Sequence, residues 1–191
     1  MTRLDAFWRA QRPLALSELV AVTGWPKSTL HALLLSMEQN SVIEQELSTG
    51  KYRLGFHLFE LGCVAESWRT VKEVALASMR KFTEECGEPI YLAKLVNDYV
   101  LLIASSEIVR TVRISALVGS RLPLYCSPQG KMILAHLPPS EISANLKACR
   151  FHPFTPHTIT NPNQLQRQLH QIRLQGYSIS NEELRTGAAS V

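Results

Sequence analysis

Apolar and polar residues follow two periods along this chain, first that of the α-helix and later a mixture of helix and strand. Leu4, Phe7 and Trp8 have helical spacing, and Pro13 stops that run. Residues 17–23 predict a short second helix, with Ser17 placed to cap it. Gly24-Trp25 break the chain, and Pro26 suits the first position of a third helix. There Leu30, Leu33, Leu34 and Met37 fall at i, i+3, i+4 and i+7, one buried stripe ended by Asn40-Ser41. Residues 42–47 and 51–54 flank Ser48-Thr49-Gly50 and predict a β-hairpin.

From Phe56 to about Arg69 the helical pattern returns, and residues 71–86 predict another helix stopped by Gly87. Residues 90–95 and 99–104 are apolar runs around Asn97-Asp98, a second hairpin. Residues 112–117 predict a third strand, and residues 132–136 a helical piece that Pro128 can begin. A last amphipathic helix covers residues 162–174, stopped by Gly176, and residues 177–180 predict a strand. Strands alternating with helices after residue 88 indicate an α/β sensor-like domain, so the chain as a whole is α+β.

Composition fits that picture. Apolar residues make up 46% and charged ones 19%, with three Trp and six Phe, enough to build a core and to exclude disorder. The longest uninterrupted apolar run, residues 99–104, has six residues, far short of the roughly 20 a membrane span needs. The N-terminal residues carry no apolar segment of signal-peptide type, so the expectation is a cytoplasmic protein with no membrane partner. Cys63, Cys86, Cys126 and Cys149 are widely spaced, with no CxxC pair and no His at ligand spacing. Free, mostly buried thiols are expected, with no metal site and no cofactor. The net charge of +4 is spread evenly: residues 1–57 carry six Lys/Arg against five Asp/Glu, the rest fourteen against eleven. Charge alone therefore does not identify a nucleic-acid partner.

The chemistry lies in the helix, tight turn, helix and hairpin of the first 55 residues. In a winged helix-turn-helix the second of these helices enters the major groove, its N-terminal residues reaching phosphates and base edges. With its apolar stripe inward, the third helix presents Ser28, Ala32, Leu35, Ser36 and Gln39 outward, flanked by Lys27, Thr29 and His31. Ser28, Thr29 and backbone N–H groups can bond phosphate oxygens, aided by the helix dipole. Lys27 adds a point charge, and His31 and Gln39 can reach bases or backbone. Ser17 at the start of the preceding helix, and Lys51 and Arg53 around Tyr52 in the hairpin, complete the DNA-binding candidates. By periodicity alone the same layout also suits a helical packing module whose polar face meets water.

The stretches RPLALSELVAVTGWPKSTLHALLLSM and STGKYRLGFHLFELG resemble the DNA-binding half of the IclR family of transcription regulators. VGSRLPLYCSPQGKMILAHLP and FTPHTITNPNQLQRQLHQIRLQGYSISNEEL resemble that family's effector-binding domain, so the resemblance spans about residues 4–190. It implies a winged helix-turn-helix over residues 1–55, a connecting helix over 56–70, and a GAF-like effector-binding domain over 71–191. It also implies a homodimer or homotetramer on a double-stranded DNA operator, with a small organic acid, a carboxylate or sugar acid, as effector. The implied effector residues are Thr111 and Ile114, the loop Ser127, Pro128 and Gln129, and Ser180 and Ser190 near the C-terminus. In the family the loop before the Gly-Lys pair, here Gly130-Lys131, offers backbone N–H groups to an effector carboxylate.

Four departures stand out. Ala32 replaces an Arg that most members carry. The first helix starts late, and the family's segments beyond Thr186-Gly187 are absent, so Ser190 is expected in an unpaired strand and Ser180, Asn181, Glu182 and Glu183 at the cavity mouth. Pro128-Gln129 stand where small residues are common, and proline removes one N–H donor. Lys131 reads either as a solvated charge or as part of the site, and Ser180 as a turn residue or a ligand contact. Two other functions remain open: a ligand sensor that no longer binds DNA, and an enzyme using Cys126 with His136 or His157 as base. The reading favoured is a non-enzymatic transcription regulator.

Overall fold

The computed structural model describes residues 4–64, 69–108 and 116–191, in two compact units, residues 1–68 and 69–191. In the first unit α1 (Asp5–Ala10), α2 (Leu16–Thr23) and α3 (Lys27–Gln39) lead into the hairpin β1 (Ile43–Gln45) and β2 (Tyr52–Leu54), then α4 (His57–Val64). Their core is Phe7, Leu14, Leu19, Leu30, Leu34, Ile43 and Tyr52, all buried, so the predicted stripe of α3 does face inward, with Leu33 and Met37 half-buried beside it. Leu14 adds a third strand-like rung, exchanging both backbone hydrogen bonds with Tyr52 at 2.8 and 2.9 Å.

The start of α2 differs from expectation. Ser17 is not its cap: the helix begins after Ala15, and Ser17 is an exposed second-position residue. The free Ala15 N–H donates instead to the Glu18 carboxylate at 2.8 Å, half of a capping box with the side-chain half missing. Pro26 likewise sits one position before α3 rather than inside it. Gly24, at φ +70°, makes the turn between the two helices, a backbone conformation that costs a side chain about 1 kcal/mol or more. Gly55 closes the hairpin against Ser41: a Cβ there would lie 2.1 Å from the Ser41 carbonyl oxygen.

The second unit opens with α5 (Arg69–Cys86), and Gly87 ends that helix as expected. An antiparallel sheet follows, β3 (Ile90–Val96), β4 (Tyr99–Ser106) and β5 (Arg121–Pro123), in the order β3-β4-β5. Asn97, at φ +53°, turns the β3–β4 hairpin. Then come α6 (Pro128–His136), α7 (Pro139–Ala148), α8 (Pro162–Gln175) and the short pair β6 (Ser180–Asn181) and β7 (Ala189–Ser190). The core joins Val100 of the sheet to Leu124, Cys126, Leu134, Leu165, Leu169 and Ile172. Helix α7 was not anticipated: only Ile142 and Leu146 carry its inward face, and none of its residues is fully buried. The strand expected at 112–117 falls mostly outside the described residues, and Ala116 and Leu117 are not in a strand. The strand expected at 177–180 shrinks to Ser180–Asn181.

Ser190 is not unpaired. It stands opposite Ser180 in the β6–β7 ladder, because Gly187 at φ +77° folds the chain back on itself. Ser127 caps α6 and Asn161 caps α8, each side chain accepting a backbone N–H of the first turn. Of the four thiols, expected mostly buried, only Cys126 is; Cys149 is half-buried and Cys63 and Cys86 are exposed.

Candidate DNA-reading face and effector loop

Helix α3 carries its chemistry on the side away from its core. Lys27, Ser28, Thr29, His31, Ala32, Leu35, Ser36 and Gln39 are all exposed, and none of them is acidic. Lys27 has no ion-pair partner among the described residues, so its charge is available to a phosphate. The hairpin is different. Arg53 stands directly across from Glu44 and donates to one of its oxygens through Nε at 3.0 Å and Nη2 at 2.7 Å. The Arg53 guanidinium in turn holds the Glu44 carboxyl below the usual range. Arg53, expected to track a phosphate, is thus occupied within its own hairpin. Lys51 is half-buried just before β2, in the electrostatic neighbourhood of Glu18.

Arg12 and Glu18 form a second internal pair. The guanidinium donates to both carboxylate oxygens, at 2.6 and 3.3 Å, and these bonds, with the Ala15 N–H, pull the Glu18 carboxyl down to about 2. The pair anchors the start of α2, and with it the turn that presents α3. Neither role was read from sequence, although Glu18 at the third helical position was the available signal.

In the second unit the implied effector residues do not all come together. Thr111 and Ile114 lie outside the described residues. Ser127 is buried and its hydroxyl is spent, donating to the Pro123 carbonyl at 2.6 Å and accepting from the Gly130 N–H at 3.2 Å. Pro128 has no N–H, and the Lys131 N–H bonds the Ser127 carbonyl, so in the first turn of α6 the Gln129 N–H is left without a partner among the described residues. The Gln129 side-chain oxygen is shielded from solvent with no partner among the described residues. Gly130 is needed for close packing: a Cβ there would meet the Leu124 carbonyl oxygen at 2.5 Å.

Ser180 is neither an exposed turn residue nor placed at an open mouth. It is buried and donates to the Cys126 carbonyl at 3.1 Å. Ser190 is exposed. Lys131 is not solvated either. Its ammonium is fully buried, 2.5 Å from a Glu183 oxygen and bonded to the Ile179 carbonyl at 3.0 Å and the Gln168 side chain at 3.3 Å. Glu183, expected at the cavity mouth, is therefore interior, and burial pushes its carboxyl up against the opposing pull of Lys131. Two threonines of the TPHT stretch complete this knot, Thr155 donating to the Glu182 carbonyl at 2.7 Å and Thr158 to that of Glu183 at 2.6 Å.

Cys126 does not have the character of a nucleophile. It is fully buried, and burial pushes its thiol up to about 12, where the reactive thiolate is scarce at neutral pH. His136 bonds the Met132 carbonyl on its own helix, and His157 sits 3.4 Å from Glu182.

Comparison with known proteins places this arrangement. Residues 65–191 match the model of the bacterial transcriptional regulator IclR C-terminal domain, and residues 4–47 match the IclR helix-turn-helix domain. The chain is 31% identical over 180 residues to the acetate operon repressor of Salmonella typhimurium, covering 93% of this chain and 66% of that protein. It is 32% identical over 176 residues to the transcriptional repressor IclR of Escherichia coli, covering 91% and 64%. The chain thus spans about two thirds of the length of these curated relatives. Among solved structures, an IclR homolog of Microbacterium hydrocarbonoxydans complexed with 4-hydroxybenzoate aligns with a TM-score of 0.84 at 27% identity, over 98% of this chain and 77% of that one. An IclR-type regulator of Alicyclobacillus acidocaldarius aligns at 0.83 and 28%, over 98% and 76%. No described helix is long and apolar enough to cross a membrane.

Proposed function

The chain belongs to the IclR family of bacterial transcription regulators, and on that premise we propose that it is a sequence-specific DNA-binding regulator whose operator binding responds to a small organic acid. The observation that carries the reading is the exposed, acid-free face of α3, with Lys27, Ser28, Thr29 and His31 at its start, set on a fully formed core. That face suits phosphate contacts near the helix N-terminus and base contacts from Ser36 and Gln39. The hairpin adds Lys51, and Ser17 marks the start of the supporting helix. The role is regulatory rather than enzymatic, carried out in the cytoplasm.

A homodimer is the assembly that α4 favours. Phe56, Phe59, Leu61 and Val64 are all exposed along or just before it, and the Phe56 and Phe59 rings pack together at 5.2 Å. Single exposed apolar residues are ordinary, whereas four within nine positions suit burial against a copy of the chain. A dimer would read two half-sites about one helical turn apart.

For the effector, the Gln129 N–H and side-chain oxygen, each without a partner among the described residues, favour a ligand with one carboxylate oxygen and one hydroxyl donor. A hydroxy or sugar acid has both. The complex of the Microbacterium relative with 4-hydroxybenzoate, itself a hydroxy acid, supports the class. The test selects operators from a random duplex pool with this chain, then measures binding by fluorescence anisotropy with and without a panel of hydroxy acids. Enrichment of a pseudo-palindromic site whose affinity shifts with one acid is expected; no enriched sequence overturns the reading.

A further inference from the structure

A cavity lies in the sensor unit, apart from the effector loop. It has a volume of about 280 Å³ and opens beneath the last turns of α7, between Asn145, Leu146 and Cys149 on one side and the residues after β5 on the other. None of Ser127, Pro128 and Gln129 lines it, so it is distinct from the effector loop. Its floor is the main core itself: Leu124, Tyr125, Leu134 and Leu165 are each at most 6% exposed, yet all four reach the cleft.

The walls make it a built site. Tyr125 donates to the His152 carbonyl at 2.6 Å and accepts the His152 N–H at 2.8 Å, pinning the loop after α7 at one point. Around that pin the Phe151 ring packs tilted against Tyr125 at 5.0 Å and Phe154 stacks near it at 6.4 Å, and Phe154 forms an aromatic side wall of the cleft. Arg150, His152 and Asn145 stand at the rim. Residues 142–181 carry Lys147, Arg150, Arg167 and Arg173 and no Asp or Glu, and of these cations Arg150 lines the cleft. The single acid at the rim is Asp98, from the β3–β4 turn, on a different segment.

We propose that this cleft binds a small apolar monocarboxylate of the phenylacetate type, its ring on the leucine floor and its carboxylate toward Arg150 and His152. Apolar floor with a few convergent polar groups is the usual composition of a small-ligand site. Arg offers the bidentate donor geometry a carboxylate prefers. Asp98 opposes a second carboxylate at the rim, so dicarboxylates are rejected.

Cys149, half-buried in the wall, reports occupancy. Alkylation of the full chain by N-ethylmaleimide, followed residue by residue by mass spectrometry, reads Cys149 against the exposed Cys63 and Cys86. Phenylacetate at ten times its dissociation constant should slow Cys149 about tenfold and leave the other two unchanged. Succinate and benzyl alcohol should not protect. Leu146→Trp, which fills the cleft, should abolish protection, and Arg150→Gln at the exposed rim should weaken it about tenfold without disturbing the fold. The Arg150 variant carries the test should the Leu146 variant melt early. Gln129→Ala, in the effector loop, should protect like the wild type. No protection by phenylacetate, or protection indifferent to Arg150→Gln, overturns the inference. Protection lost in Gln129→Ala alone also overturns it, while leaving the effector reading intact.

Discussion

The buried ammonium of Lys131 on α6 meets the buried carboxylate of Glu183, fifty-two residues further along the chain. Lys131 also donates to the Ile179 carbonyl, and Ser180 donates to the Cys126 carbonyl, so α6 with the loop before it is tied to the segment 179–183 at three points. One oxygen of Glu183 has no partner among the described residues. The cluster is therefore intolerant of losing its cation.

Lys131→Met leaves Glu183 buried and uncompensated, a change that costs about 3–5 kcal/mol when a buried pair is broken from one side. The cost should depend on pH. Glu183 is already raised by burial, and removing Lys131, which pulls it down, raises it further. A carboxyl raised in the folded state holds its proton more tightly there than when unfolded, so stability falls as pH rises through that window. Urea denaturation of the variant should approach wild type near pH 4 and fall progressively behind toward pH 8. A deficit constant across that range would mean that Glu183 is already neutral in the native protein.

Glu18 titrates the other way. Its folded value of about 2 lies below the ordinary 4.5, so the stability it contributes is present above 4.5 and lost as pH falls toward 2. Because both it and Arg12 are solvent-exposed, the effect is modest and sensitive to salt. Thermal melts of the wild type should drop between pH 4.5 and 2.5 more steeply than those of Glu18→Gln. Parallel curves would remove the pair from the account of the α2 start.

Much of the first unit was legible because its signals are local: the Leu30–Leu34 stripe, Gly24 and the 48–50 turn each act within a few residues. Ser17 is not the cap because the helix starts two residues earlier, after Ala15, where the Glu18 carboxylate accepts the Ala15 N–H. Helix α7 escaped because a helix lying on the core by Ile142 and Leu146 alone leaves too sparse an apolar period. In the effector half, a Gly-Lys pair identifies the loop, but no local pattern reveals that its lysine is buried against a glutamate fifty-two residues away, or that Ser127 spends its hydroxyl on Pro123. Long-range polar pairing has no period to read.

The wing and the reading helix should respond differently to charge removal. Lys27→Ala is expected to reduce the slope of log affinity against log salt by about 0.9, one phosphate contact. Arg53→Ala should change it less, because Glu44 already neutralises that guanidinium, and Glu44→Gln should raise affinity at low salt by releasing it. Ala32→Arg restores a group able to pair bidentately with guanine, worth roughly 1–3 kcal/mol where a guanine is in reach. Anisotropy titrations across salt concentration on one selected duplex check all four. Equal slopes for Lys27→Ala and wild type would remove α3 from the phosphate backbone.

Two glycines, both inside helices, should answer opposite to one another when changed to alanine. At Gly130 a Cβ would lie 2.5 Å from the Leu124 carbonyl oxygen, 2.6 Å from its Cα and 2.7 Å from the Ser127 hydroxyl. Two of these are backbone atoms fixed by the core, so the first turn of α6 must shift, and overpacking of this kind costs about 1–3 kcal/mol. The shift would also pull Ser127 from the Gly130 N–H and move the Gln129 donor, so effector affinity should fall along with stability. At Gly62, in α4, nothing lies within 4 Å of the added methyl, and alanine gains about 1 kcal/mol of helix propensity over glycine. Urea denaturation at one fixed chain concentration should place Gly130→Ala below and Gly62→Ala above the wild type. A Gly130→Ala protein with unchanged midpoint would mean that the Leu124–Ser127 segment yields readily, and that the effector loop is held less rigidly than its hydrogen bonds imply.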